Sequence, residues 1–509
     1  KNLFYNHNEG KKMNTIYLDQ STTIITLLLT SLAFAAIGIV YSKGKLSINS
    51  YLNADRSIGK RSLTASLVAS CFGVWILIGP SEAATWGGLG AIIGYGLGQA
   101  LPFLAFITIG QRMRKIMPNG NTLTQFVLIR FGKAMFRLVL LLTIMYMFVY
   151  FAAEVTAIAK VVNLMSGFPL WQTSLVIIVA TLSYTLYGGL RASIFTDKIQ
   201  FIIIMILLIF AINHIFNSGN NTFSMDLINE KAGTLMSGKY FYGYTAGLTF
   251  FIAVFATNLF DQGVWQRVFA AKSSDDLRKG FMSAFFIVIP FMLVLGFFGI
   301  LAVSVDKAVD PSTLFFTLLL EPFTGINSLL TISILILVLA LVISSMDTLI
   351  NALSSTITIE GNKFISLKNK NSYLTLSKYL ICGLSVIVFL IASKGYSVLF
   401  MFLFADLLCC AAVFPIFYGM FKGDVDEKLS LISVIIGLIS GLLLFPNQTF
   451  DKSILIGGLF PAEAFPIWIS TALLFWSFIL ATFTPIITVM LFKKNGNFNF
   501  SKIKTSIKE

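Results

Sequence analysis

Charge is scarce in this sequence: Asp, Glu, Lys and Arg make up only 12% of its 509 residues, whereas 56% are hydrophobic and the mean hydropathy is +0.84. A soluble globular chain carries roughly a quarter charged residues. That shortage excludes a water-soluble domain and implies an integral membrane protein. Cysteine is equally sparse, with Cys71, Cys382, Cys409 and Cys410 all lying inside apolar segments. None has metal-ligand spacing, and no disulfide framework or zinc site is expected. No loop of the form GxxxxGK[ST] occurs, which argues against an ATP-driven pump. No enzymatic activity is expected either. The formal net charge of +14 does not indicate nucleic acid, because the basic residues separate apolar runs instead of clustering on one face.

What the chain has in abundance is long apolar runs. Thirteen candidate membrane helices fall near 22–42, 62–80, 88–112, 134–165, 169–187, 192–214, 240–266, 281–304, 328–360, 373–393, 396–421, 428–445 and 467–492. The fold class expected is therefore an all-α integral membrane protein, with no segment left for a soluble domain. The apolar run after Thr22 has no small-residue cleavage site, and basic residues follow it, so it reads as a retained helix. The natural start is expected at Met13.

Basic residues set the orientation. With the first helix running outside to inside, inward loops hold 27 Lys and Arg and outward segments 8. The expected topology is a multi-pass protein of the plasma membrane with its N-terminus outside and a short basic tail, 493–509, in the cytoplasm.

The chemistry is concentrated in Leu341 to Ser355, LVISSMDTLINALSS. It lies in an unbroken run from Leu329 to Ile359, and seven of its fifteen side chains carry oxygen. At about 100° per residue, Leu341, Ser344, Ser345, Thr348, Asn351 and Ser355 share one face, with Asp347 on its border. A carboxylate at the centre of a spanning helix costs roughly 2.5 to 3.5 kcal/mol, so Asp347 should face a partner, a cavity or an ion. An oxygen-lined stripe of this kind suits a hard monovalent cation, although Ser and Thr also serve as interhelical hydrogen-bonders.

Two further stretches interrupt apolar helices. Ala69-Ser70-Cys71-Phe72-Gly73-Val74-Trp75, followed by Gly79-Pro80, places small residues at mid-span, where a helix can unwind and free backbone carbonyls. Close packing between helices is the alternative. Thr257-Asn258-Leu259-Phe260-Asp261-Gln262-Gly263-Val264-Trp265-Gln266-Arg267 is a polar cluster ending a long run. It reads either as a break against a ligand or as an interfacial anchor with Trp265 and Arg267 at the headgroups. Glu154, Lys160 and Asp406 are buried charges for which the sequence names no partner.

From Tyr51 to Phe421 the chain resembles the sodium:solute symporter family. The resemblance rests on four motifs in order: Tyr51-Leu52-Asn53-Ala54-Asp55-Arg56-Ser57-Ile58-Gly59; Gly188-Gly189-Leu190-Arg191-Ala192 with Thr196-Asp197 and Gln200; Gln266-Arg267 with Ala270-Ala271-Lys272; and Ser344-Ser345 with Ser354-Ser355. It implies a LeuT-like core of two inverted five-helix repeats, about 62–214 and 240–421. An N-terminal tail, extra helix and loop (1–61) precede it, and two C-terminal helices (428–492) follow.

By the same resemblance, co-transported sodium would be held by carbonyls of Ala69, Phe72 and Leu341 and hydroxyls of Ser344 and Ser345. Asp347 stands where members with a second sodium site carry a hydroxyl, and with Thr348 and Asp197 it would form a second cation or proton site. Asp197 also reads as a helix N-terminal charge. Trp75, Asp261 and Gln262 are the candidate substrate contacts. The resemblance implies sodium-coupled symport of a small polar solute, with urea, a polyamine or another amino compound ahead of a sugar or monocarboxylate. A membrane sensor built on a symporter-like domain and a proton-coupled or passive permease are the alternatives, and the short tail after Phe492 argues against the sensor. The partners expected are the solute, sodium and the lipid bilayer, with no nucleic acid.

Overall fold

The computed structural model describes residues 16–43, 47–217, 224–306, 311–320, 326–367, 369–450, 452–457, 466–494, 496 and 498–506. The expected start at Met13 and part of the topology argument, including Lys1, Lys11, Lys12, Lys307 and Lys508, lie outside them. Thirteen helices frame the molecule: α1 (Gln20–Ser42), α2 (Lys60–Cys71), α3 (Trp75–Ile116), α4 (Lys133–Ser166), α5 (Leu170–Asn217), α6 (Phe241–Phe260), α7 (Gln262–Ala270), α8 (Ser274–Ser304), α9 (Leu329–Glu360), α10 (Lys370–Ala392), α11 (Val398–Phe421), α12 (Glu427–Leu444) and α13 (Leu473–Phe492). Short helices lie between some of them, and no strand is present among the described residues.

Among the described residues eleven helices are long and apolar enough to cross a membrane. Two of these, α3 with 42 residues and α5 with 48, are about 63 and 72 Å long at 1.5 Å per residue, roughly twice a bilayer's hydrocarbon core. Each is broken at one glycine in the left-handed region, Gly88 (φ 55°) and Gly189 (φ 61°). A side chain at either position would run into its neighbour, the Leu235 backbone or Tyr51. Splitting there yields two segments from each helix. Together with α2 continuing into α3 across a short break, and α6 into α7, the count becomes thirteen segments, as the hydropathy pattern predicts.

Small residues decide how closely these helices approach. Gly90, Gly94 and Gly98 recur every fourth residue on α3 and face the backbone of α6 around Gly243, Gly247 and Phe250. Without a Cβ on either side the two backbones come into direct contact, the small-xxx-small arrangement of membrane helices. α8 packs along the same helix. The outer faces carry exposed apolar side chains such as Leu29 and Leu32 on α1, Ile202, Ile206 and Ile209 on α5, and Val386 and Leu390 on α10. The polar face of α9 turns inward, with Ser344, Ser345, Asp347, Thr348, Asn351 and Ser355 all buried.

Candidate functional site

The site begins at the break between α2 and α3. Helical geometry ends at Cys71, Phe72 adopts an extended conformation (φ −89°, ψ 90°), and α3 starts only at Trp75. The Phe72 N–H still donates to the Val68 carbonyl at 3.0 Å, and the next closures run from Ile76 and Leu77 to Gly73 and Val74. Among the described residues no backbone N–H closes onto the carbonyls of Ala69 or Phe72. Both residues are fully buried, so these oxygens need a ligand of another kind. Gly79 and Pro80, in contrast, remain helical within α3.

Asp197 ties this break to the α9 stripe. It lies deep within α5 and not at a helix start, which sets aside the N-terminal reading. Its Oδ2 accepts from the Ser66 hydroxyl of α2 at 2.5 Å, and its Oδ1 from the Ser344 hydroxyl of α9 at 2.7 Å. Ser66 is one turn before Ala69, so one carboxylate holds the broken helix and the serine helix together. Ser344 donates its proton there, which leaves the lone pairs of its oxygen free to accept. The Ser345 hydroxyl donates to the Val342 carbonyl at 3.1 Å.

Arg267 completes this core. Although the sequence allows it to be a headgroup anchor, it is fully buried, as is Trp265. Its guanidinium pairs with Asp197 at 2.9 Å. It also donates to Ser66 Oγ at 2.8 Å, Thr348 Oγ1 at 2.8 Å and the Gly263 carbonyl at 3.1 Å. Asp347 sits beside this network without an ion pair among the described residues. Its carboxylate accepts from Tyr184 at 2.7 Å, Ser193 at 2.7 Å and Thr196 at 3.3 Å, with Thr348 at 3.4 Å. The fold therefore brings Asp197, Asp347 and Thr348 into one polar cluster.

The second break, at Asp261, separates α6 from α7. Asp261 is the N-cap of α7, accepting from Val264 N–H at 2.7 Å through Oδ1, while Oδ2 accepts from the Tyr146 hydroxyl at 3.1 Å. Gln262 is buried and turned to the loop before residue 123. Its Oε1 accepts from Leu123 N–H at 3.2 Å and its Nε2 donates to the Asn121 carbonyl at 3.1 Å. Trp75 stands at the start of α3, stacked on Tyr95 at 5.7 Å and edge-on to Phe402 at 6.4 Å. Nearby, Gln99 and Asn258 exchange amide hydrogen bonds of 3.0 and 3.3 Å, and Gln99 also donates to Cys71 Sγ at 2.8 Å.

Several of these partners are silent in the sequence. Tyr146, Tyr184 and Ser66, and likewise Tyr150, whose hydroxyl donates to Asp406 at 2.9 Å, look like ordinary members of helical runs, and only the tertiary fold brings them onto carboxylates. A phenol every fourth residue on α4, continuing to Glu154, was the one available signal.

With this geometry in place the relationships are clear. The family model for the sodium:solute symporter family matches residues 51–437, and the chain belongs to that family, whose members are secondary active solute transporters. It is 28% identical over 398 residues to a spermidine transporter of Candida albicans, covering 77% of this chain and 73% of that one. It is 22% identical over 446 residues to the urea active transporter of Saccharomyces cerevisiae, covering 81% of this chain and 60% of that one. A Na+-coupled sialic acid symporter in a substrate-bound outward-open state matches at TM-score 0.68 and 14% identity, over 94% of this chain and 99% of that one. The nucleobase-cation-symport-1 transporter Mhp1 matches at TM-score 0.54. The fold is LeuT-like and all-helical, and the protein is a multi-pass membrane transporter and not an enzyme.

Proposed function

We propose that the protein is a sodium-coupled symporter of a small amine- or amide-bearing solute, oriented in the plasma membrane with its N-terminus outside. Its core would be the two repeats 62–214 and 240–421. The observation that carries this is the pair of buried carbonyls, Ala69 and Phe72, left without helical donors at a break that Ser66 and Asp197 fasten to Ser344. Leu341 and Ser345 would complete the oxygen shell around sodium, the transported ion. Hard monovalent cations are held by such neutral oxygens at broken membrane helices.

Asp261 supports the solute class. It has no ion pair among the described residues, since Arg267 is committed to Asp197. With Trp75 it would favour an N–H donor or a cation over an anion, whereas Gln262, the third expected contact, has its amide engaged by Leu123 and Asn121. The names of the spermidine and urea relatives point the same way.

Proton coupling at Asp347, with Asp197 and Thr348, is the second reading, favoured by a carboxylate buried among hydroxyls without a countercharge of its own. An ion-replacement screen separates the two. Uptake of spermidine or urea by proteoliposomes is expected to need external sodium and to persist when inside and outside pH are equal. Uptake that follows a pH gradient and is indifferent to replacing sodium by choline would overturn sodium coupling.

A further inference from the structure

Three carboxylates lie along one face of α4. Tyr146, Tyr150 and Glu154 recur every fourth residue, so each is about 6 Å above the last. Tyr146 donates to Asp261 at 3.1 Å and Tyr150 to Asp406 at 2.9 Å, while Glu154 supplies the third carboxylate itself. The Tyr146 and Tyr150 rings are 6.1 Å apart, in agreement with the helical step. Asp261, Asp406 and Glu154 take part in no ion pair among the described residues.

The Glu154 side chain adds a second, independent observation. Its Oε2 accepts from the Val74 N–H at 3.0 Å and so caps the start of α3 from a different helix. Oε1, in a residue only 1% exposed, has no hydrogen-bond partner of good geometry among the described residues, and the Ser345 hydroxyl lies near the carboxylate. That oxygen packs against Gly73, in the space a Cβ there would need, with the edge of Trp75 beside it. From there an aromatic wall leads to the second carboxylate: Trp75 is edge-on to Phe402, Phe402 is 4.7 Å from Tyr150, and Tyr150 bonds Asp406. Aromatic faces beside unpaired carboxylates are the surroundings that recognise ammonium groups.

We propose that this face of α4 is a binding track for a linear solute carrying two or more ammonium groups. Amines separated by roughly three or four methylenes repeat at nearly the one-turn, 6 Å step of the track. One ammonium would meet Glu154 Oε1, the next would meet Asp406 against Phe402 and Tyr150, and a third would reach Asp261. Glu154 also excludes the opposite class of solute. A half-helix N-terminus at mid-membrane attracts an anionic group, and here the protein's own carboxylate already fills that position. The track deepens the amine reading of the transported solute and rests on it.

The test is equilibrium binding to the full-length protein in detergent, with labelled 1,4-diaminobutane displaced by unlabelled diaminobutane, butylamine or urea. The diamine should displace at a concentration at least about tenfold below that of butylamine, the worth of one further charge-assisted hydrogen bond. In Glu154→Gln and in Asp406→Asn that advantage should shrink to within about threefold, with binding of butylamine much less altered. Equal potency of diamine and monoamine in the unsubstituted protein would overturn the track, and that comparison needs no variant to fold. An advantage that survives both substitutions would overturn it as well. Because binding is read without gradients, failure here is distinct from failure of sodium coupling, which the ion-replacement screen reports.

Discussion

Ser344 and Ser345 look alike in sequence but differ in what their removal exposes. Ser344 donates to Asp197, which also accepts from Ser66 and pairs with Arg267, so Ser344→Ala removes one of three supports from a buried carboxylate. Ser345 donates to a carbonyl of its own helix and merely neighbours the Glu154 carboxylate, which keeps its bond from the Val74 N–H, so Ser345→Ala disturbs a buried charge less. Both variants should raise the sodium concentration for half-maximal uptake, since each loses one oxygen that would face the ion. Ser344→Ala should in addition lower stability by about 1.5 to 3 kcal/mol, the range for a hydrogen bond to a charged group. Sodium activation curves and melting of the purified variants check this pair of expectations. Unchanged half-saturation in both variants would remove the serines from the ion site.

At the scale of elements, the contact of α3 with α6 carries the most specific expectation. Gly94 has the Gly247 backbone where its Cβ would be, so Gly94→Val must push two helices apart at the centre of the molecule. Overpacking of this kind costs about 1 to 3 kcal/mol or more. Fluorescence-detected gel filtration should show a lower melting temperature or loss of the monodisperse peak, whereas Gly383→Val, where nothing lies within 4 Å, should melt normally. Matching behaviour of the two would contradict the close approach. The helices themselves were legible because apolar length and glycine or charge punctuation determine them directly. The α9 stripe was legible because one periodicity places its residues on one face. The pairing of Arg267 with Asp197, 70 residues away, was not. Helical spacing relates only neighbours three or four apart, and nothing local distinguishes an arginine that anchors at a headgroup from one that turns inward. Asp261 was legible as a polar break, but its role as the cap of α7 depends on how the chain bends there.

For the whole molecule, the two breaks, α2 to α3 and α6 to α7, place the Ala69 and Phe72 carbonyls, Trp75 and Asp261, while Asp197 of α5 fastens both broken helices to Ser344 of α9 through Ser66 of α2 and Arg267 of α7. Such a design stores no chemical energy of its own and can only exchange one gradient for another. The central claim is that solute moves against its gradient at the expense of sodium. The most direct measurement is the steady-state solute ratio in proteoliposomes held at zero membrane potential with a tenfold inward sodium gradient. That gradient supplies about 1.4 kcal/mol per ion, enough for about tenfold accumulation of a solute of any charge for each sodium coupled. The account predicts an inside-to-outside ratio near ten for one sodium, or near one hundred for two, returning to one when an ionophore dissipates the sodium gradient. A ratio of one throughout, with solute entering at a normal rate, would contradict it.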